Sequence, residues 1–496
     1  MLRRFAIGLP LLVLSFQTLA DEDPNVTQMK KLYSKLAEAV SVTPNTIRAG
    51  GTFLVLASPG ILLEPNLDVD GNEQDRVLLN SLVEKTMDAD WIYRPRTRLS
   101  SDIYRRILTY HQAPIYSLES KIKAELDGYN KEIFTEKDGA RDYTAAWKQF
   151  LDLRAKYAVA IDTARMWLNN NAGKALPAQQ ANELANAKDA YLNLGDGIRR
   201  SIILQRKREY AAFDPESWWT ELQDFFDQNT DSIGGRPYPR NLYYPRYSSW
   251  INPTTVWTTV SISQTDLERT TINQSSSSGG GLDASWGLWR VNVAGSGSSS
   301  GSRLEVNLSS ISLSFQVLRV NIERPWMDSL VFYSRAWRWG CGELDRPVIS
   351  DGGDPTHGQQ VAGIMPFLPT GILIAKDLKI RADLSKEVQD RFNSVSSGGG
   401  GISFGPFRLG GRRAESNSRE YVSAKATGTG VEFKEPQIIG FFVEVLRSSP
   451  NPNPELKFQS CGDATGSDRT AKIDEDSLHL LRNHLKSFQA KEGDRM

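Results

Sequence analysis

Cysteine and histidine are the scarce residues of this chain. Its 496 residues hold two cysteines, Cys341 and Cys461, and four histidines, at 111, 357, 479 and 484. No histidine sits in a cysteine-protease signature, and no zinc signature appears. His479 and His484 are five apart on an expected helix, off the i, i+4 spacing that puts a metal pair on one face. His357, in "GGDPTHGQQ", falls in a Gly/Pro-rich loop. In an oxidising compartment two cysteines read first as a disulfide, with two buried thiols as the alternative. A Cys341–Cys461 bridge would close a long loop, worth about 4 to 5 kcal/mol in the chain-entropy picture.

An excess of charge of one sign is also lacking. Lys+Arg and Asp+Glu number 59 each, which leaves no electrostatic footprint for nucleic acid. Beyond the N-terminus there is no apolar run of 18 residues, so no transmembrane helix is expected. P-loop and dinucleotide fingerprints are missing. "GSSSG" at 297–301 fits G-x-S-x-G around Ser299. A nucleophile elbow needs a helix after it, and the sequence that follows is strand-like. "DVDGNEQD" at 68–75 places Asp68, Asp70 and Asn72 like the start of a calcium loop. Glu73 stands where that loop needs Gly, and Leu79 where it needs Glu, so the stretch reads as a solvated acidic turn. No catalytic residue, metal ligand or cofactor is assigned.

The N-terminus does carry a signal. Arg3 and Arg4 precede an apolar run from Phe5 to Phe16, then Thr18-Leu19-Ala20 and the acidic "DED". This reads as a secretory leader over 1–20, cleaved after Ala20, and predicts a secreted or periplasmic protein.

Periodicity divides the remainder. Residues 21–100 form a mixed segment, with a helix over 24–40, strand-like "TFLVLASPGILLEP" broken by a Pro-Gly turn, and a helix over 73–88. In 101–213, Tyr143, Trp147, Phe150, Arg154, Tyr157, Ile161, Ala164 and Leu168 make a heptad seam with one polar break at Arg154. Ile115, Leu118, Ile122, Leu126, Tyr129 and Ile133 make a second face, and "KDG" at 137–139 a turn between the two. A third helix starts at Pro177 and runs to about Tyr210, with a kink expected at Gly195 and Gly197. The expectation is an antiparallel bundle of three long helices.

A Pro/Tyr-rich connector spans 214–253, and a β domain 254–462. There the period falls to two: Val256, Val260 and Ile262 alternate, then Leu304, Val306 and Leu308. Ile311, Leu313, Phe315 and Val317 follow on the other parity, so a bulge is expected at Ser309-Ser310. "GILIAKDLKIRADL" and "IIGFFVEVL" read as more buried strands. Gly/Ser patches at 275–281, 296–302 and 396–401 read as hairpin tips. The tail 463–496 carries an amphipathic helix over 474–490, with Leu478, Leu481, Leu485 and Phe488. The predicted class is α+β: an N-terminal antiparallel helical bundle followed by a mainly antiparallel, sandwich-like β domain.

"YSRAWRWGCG" at 333–342 is the most unusual stretch. In a strand, Tyr333, Arg335, Trp337 and Trp339 would share a side, with Arg335 in a cation–π ladder. Such a face is either sheet packing or a platform for a glycan or a lipid headgroup.

"VNIERPWMDSLVFYSRAWRW", "MPFLPTGILIAKDLKI", "ISFGPFRLGG" and "PQIIGFFVEVLRSSPNPNP", in that order, resemble an uncharacterised family of fungal and bacterial proteins over residues 310–454. The resemblance implies a self-contained domain and no known activity. Two functional classes stay open. One is a non-enzymatic, toxin-like protein that contacts membrane lipid or glycan through its β domain, with the bundle as a stalk or homo-oligomer contact. The other is a secreted hydrolase with a site between domains; a purely structural or interaction role is a third alternative.

Overall fold

The computed structural model describes residues 24–40, 51–64, 67–115, 120–137, 140–211, 215–233, 236–251, 257–269, 288–292, 302–303, 311–353, 361–386, 389–390, 392, 401–412 and 421–460. The expected leader, Ser299, the Ser309-Ser310 bulge, most of the Gly/Ser patches, His357, Cys461 and the 474–490 helix with His479 and His484 lie outside them.

Gln437–Val445 is apolar at almost every position, and a strand of that kind must be covered on both faces. It lies between Thr52–Leu62 and Phe367–Arg381 in an eight-stranded sheet that continues through Ser312–Glu323 to Thr258–Ile262. Leu242–Tyr244 pairs with the end of the 312–323 strand, and Gly430–Phe433 with the end of the 367–381 strand. All these pairings are antiparallel. The expected alternation holds on the edge strand, where Thr258, Val260 and Ile262 are buried. In the 312–323 strand, burial moves from Leu313, Phe315 and Val317 to Leu318, Val320 and Ile322. Its register against the neighbouring strand shifts nearby, where Asp377 takes φ +51° as the extra residue.

A four-stranded sheet of Ser302–Arg303, Trp289–Asn292, Gly401–Phe404 and Phe407–Arg408 packs on the large one. Phe407 meets Phe315 edge to face at 4.9 Å, and the buried Gln437 amide exchanges hydrogen bonds with the Arg408 backbone at 2.7 and 3.1 Å.

The described residues of the 21–100 segment pack into the core of the large sheet. Helix α1 (Pro24–Ala39) buries Leu32, Tyr33 and Leu36 in the same core as Phe441 of the C-terminal strand, and residues 52–62 are a strand of the large sheet. The Pro59-Gly60 turn is instead a register shift inside that strand. Helix α2 (Glu73–Val83) ends five residues early because Lys85–Met87 pairs as a strand with Pro95–Leu99.

In place of the three expected long helices there are five: α3 (Ser100–Tyr110), α4 (Ser120–Ile133), α5 (Ala145–Asn170), which carries the expected seam from Trp147 to Leu168, α6 (Ala178–Asp189) and α7 (Gly197–Ala211); α8 (Pro215–Gln228) follows them. Of the expected turn at 137–139, residues 138 and 139 lie outside the described residues; on either side of them Phe134–Lys137 pairs antiparallel with Ala140–Tyr143. Pro177 does cap its helix, and the expected break at Gly195 and Gly197 is present, preceded by a π-turn over Ala190–Leu194. Gly197 is required there, since a Cβ would lie 2.5 Å from the Tyr191 ring. Of the seam, Trp147, Phe150 and Ala164 are buried, whereas Leu168 is 44% exposed. The other side of α5 runs against the large sheet, where Arg319 meets Asp162 at 3.5 Å. The described residues of the 214–253 connector hold α8, the paired strands Thr230–Ile233 and Arg236–Pro239, and the 242–244 strand. The protein is thus α+β with antiparallel sheets. No helix among the described residues is long and apolar enough to cross a membrane.

Candidate functional site

The two tryptophans of the 333–342 stretch are core. Trp337 is 0% exposed and Trp339 5%. They join Trp218 and Trp219 of α8, Trp326, and Ile103, Tyr104 and Ile107 of α3 in one apolar cluster. Both indole N–H groups of the stretch are satisfied: Trp337 Nε1 donates to Val331 O and Trp339 Nε1 to Pro347 O, both at 2.8 Å. The expected continuous strand shrinks to Arg338–Trp339, and Tyr333 follows a 3-10 turn over Ser329–Phe332. Tyr333 donates its hydroxyl to Glu444 at 2.6 Å, and Arg335 reaches Asn451 O at 3.2 Å. The cation over a ring is Arg338 on Phe458, at 4.9 Å, not Arg335. The four candidates therefore form no shared exposed face, and the platform for glycan or lipid loses its carrier. The physical reason is α3 and α8, which lie over the indoles. The short strand His111–Gln112 pairs with Arg338–Trp339, and the His111 ring stacks on Trp219 at 3.7 Å. Burial pushes the His111 pKa down from 6.5. Cys341 is exposed in the following turn, and Cys461, its expected partner, lies outside the described residues.

The chemistry gathers elsewhere. A cavity of about 510 Å³ opens where α5, α7 and α8 face the end of the large sheet around Tyr244, Asn321 and Thr370. One wall is aromatic. The paired strands 134–137 and 140–143 bring Phe134 and Tyr143 together at 5.6 Å, and Phe225 of α8 stacks on Tyr143 at 4.8 Å. Across this wall Lys207 of α7 pairs with Glu221 of α8 at 2.5 Å, while Arg141 stands 3.9 Å from the same carboxylate. The Lys207 ammonium also lies 4.1 Å from the centre of the Phe134 ring. Burial lowers the Lys207 pKa and raises that of Glu221, and each partner opposes the other's shift. Burial likewise holds the Tyr143 hydroxyl well above its ordinary value.

Behind the cavity is a buried polar network. Glu84 accepts from Arg324 Nε at 2.7 Å, from Asn241 Nδ2 at 2.8 Å and from the Ser100 hydroxyl. Arg324 Nη1 donates to Pro369 O at 2.5 Å. Asn241 accepts in turn from the Trp326 indole at 2.9 Å. These bonds tie the end of α2, the start of α3 and the 312–323 strand together, so the sheet side of the cavity is rigidly held.

Arg154 is the residue by which sequence reasoning could have found this site. It breaks the heptad seam because at that turn α5 faces the cavity rather than a helix. Lys207 and Glu221 gave no signal, being two charges among many on helical sequence. A more open concavity of about 680 Å³ lies between α4 and α7, beside the exposed Ile198 and Ile202, with none of the buried charge of the first. No group of three or more His, Cys, Asp or Glu side chains among the described residues could hold a metal ion. Comparison with family models, curated proteins and solved structures found no match, so function is argued from the cavity's chemistry.

Proposed function

We propose that the protein works by binding a small polar molecule in the cavity between α5, α7, α8 and the large sheet. The observation that carries this is the Lys207–Glu221 pair, held between buried aromatics on the wall of a ready-made void. Ligand sites are concave, largely apolar and set with a few convergent polar groups, and buried charges cost stability unless something else repays them. In this reading the helices are the bundle-like wall and the two sheets the sandwich-like base, in a protein working outside the cytoplasm. A second reading, hydrolysis in the same cavity, has one observation in its favour: burial raises the Glu221 pKa, as suits a general acid.

A thermal-shift screen of small polar compounds tests the first reading. Ser329 lines the cavity, so Ser329→Trp should fill it. Hits should stabilise the parent protein and lose their effect in the variant. Hits that stabilise both equally would place binding elsewhere, and release of a hydrolysis product from a hit would favour the second reading.

A further inference from the structure

Some of the charged side chains that line the cavity are paired with opposite charges, within the lining or just behind it, and some are not. Lys207 is answered by Glu221, Arg319 by Asp162 and Arg324 by Glu84. Glu444 accepts from Tyr333, and Asp328 from the Leu330 amide. Neither of those two donors carries a charge to answer its carboxylate, and Arg324 Nη2 is buried without a hydrogen-bond partner among the described residues. Two further lining side chains, Arg154 and Glu323, are both half-buried, and neither makes a hydrogen bond or ion pair among the described residues. The Arg154 guanidinium has only the Phe150 ring, 5.9 Å from its centre. Their fields are felt inside the cavity. Burial raises the pKa of both Tyr143 and Tyr244. At Tyr143 the carboxylates of Glu221 and Asp328 add to the rise and Arg154 opposes it. At Tyr244 Asp152 adds to it, Arg246 opposes it and Glu323 adds a smaller push upward.

We infer that the cavity takes a zwitterion, with its anionic group on Arg154 and its cationic group on Glu323. This rests on the binding reading above and names the ligand class. A half-buried charge gives up hydration that only a counter-charge returns. The planar guanidinium suits a carboxylate or phosphate through paired N–H bonds, and a carboxylate accepts from an ammonium. Phe134, Trp218 and Leu222 offer the ligand's body an apolar wall. Two sources share this chemistry, a free α-amino acid and a phosphocholine headgroup.

Calorimetry on the full chain with L-leucine and phosphocholine tests the inference, and fluorescence of Trp147 and Trp218, which line the cavity, gives a second readout. At least one zwitterion should bind. The leucine arm is checked with leucinamide and N-acetylleucine, the phosphocholine arm with choline. Each of these lacks one charge and should bind at least about tenfold weaker, a loss of about 1.4 kcal/mol. Arg154→Met should weaken the zwitterion by the same factor and leave leucinamide or choline unaffected. Glu323→Gln should do so and leave N-acetylleucine unaffected. If a variant fails to fold, the single-charge analogues decide alone. Failure of both zwitterions, or analogues binding within about twofold of them, overturns the inference. If neutral compounds then bind in a way that Ser329→Trp abolishes, the cavity reading survives; if nothing binds, both fall.

Discussion

Trp337 and Trp339 meet edge to face, with ring centroids 5.3 Å apart and planes at 88°. Both indoles are buried, and the spacing of two that suggested an exposed aromatic face instead sends both rings inward under α3 and α8. Truncating a buried indole removes its transfer energy and leaves a cavity. Trp337→Ala should therefore cost about 3 to 5 kcal/mol in urea unfolding. A loss below about 1 kcal/mol would show that the ring is not core.

The Glu84–Arg324 pair should behave as a unit. Arg324→Met leaves a buried carboxylate without its cation, which costs about 3 to 5 kcal/mol. Adding Glu84→Gln removes that stranded charge, so the double variant should be less destabilised than the sum of the two singles. Strict additivity in a double-mutant cycle would mean that the contact contributes nothing.

The fold class and the long strands of the large sheet were legible because burial on one or both faces writes itself into hydrophobic period. The 258–262, 367–381 and 437–445 strands all carry that mark. The 143–168 seam did mark one long helix, whereas the helix expected from Pro177 to about Tyr210 is divided at Gly195 and Gly197. Residues 52–62 and 437–445 pair across nearly the whole chain, and no local pattern announces that register. The aromatic stretch failed as a site for a related reason: alternation cannot show whether the covered side faces solvent or a distant helix. The cavity had only the polar break at Arg154 to mark it.

His111 predicts acid sensitivity. Burial against Trp219 lowers its folded-state pKa below the ordinary 6.5, so the folded state binds fewer protons than the unfolded one. The resulting stability is present above the unfolded pKa and is lost as pH falls below it toward the folded value. Melting temperature measured from pH 7.5 to 5 should fall, and His111→Phe should flatten that part of the profile. An unchanged slope in the variant would exclude His111 as the source.

The Cys341–Cys461 disulfide remains a proposal that the tail's path supports. Gln459 O accepts from Gln112 at 2.8 Å and from Arg338 at 2.9 Å, which brings the chain beside the turn that holds Cys341. Mass spectrometry of the non-reduced protein should find no alkylatable thiol. Two labelled cysteines in the native protein would refute the pairing.

The central claim, that the cavity beside Lys207 and Glu221 is the binding site, is tested most directly by a crystal structure of the protein soaked with its tightest-binding compound. The account predicts ligand density between Arg154 and Glu323, against the Phe134 and Trp218 rings. Density confined to the more open concavity between α4 and α7, or to the outer surface, would contradict it.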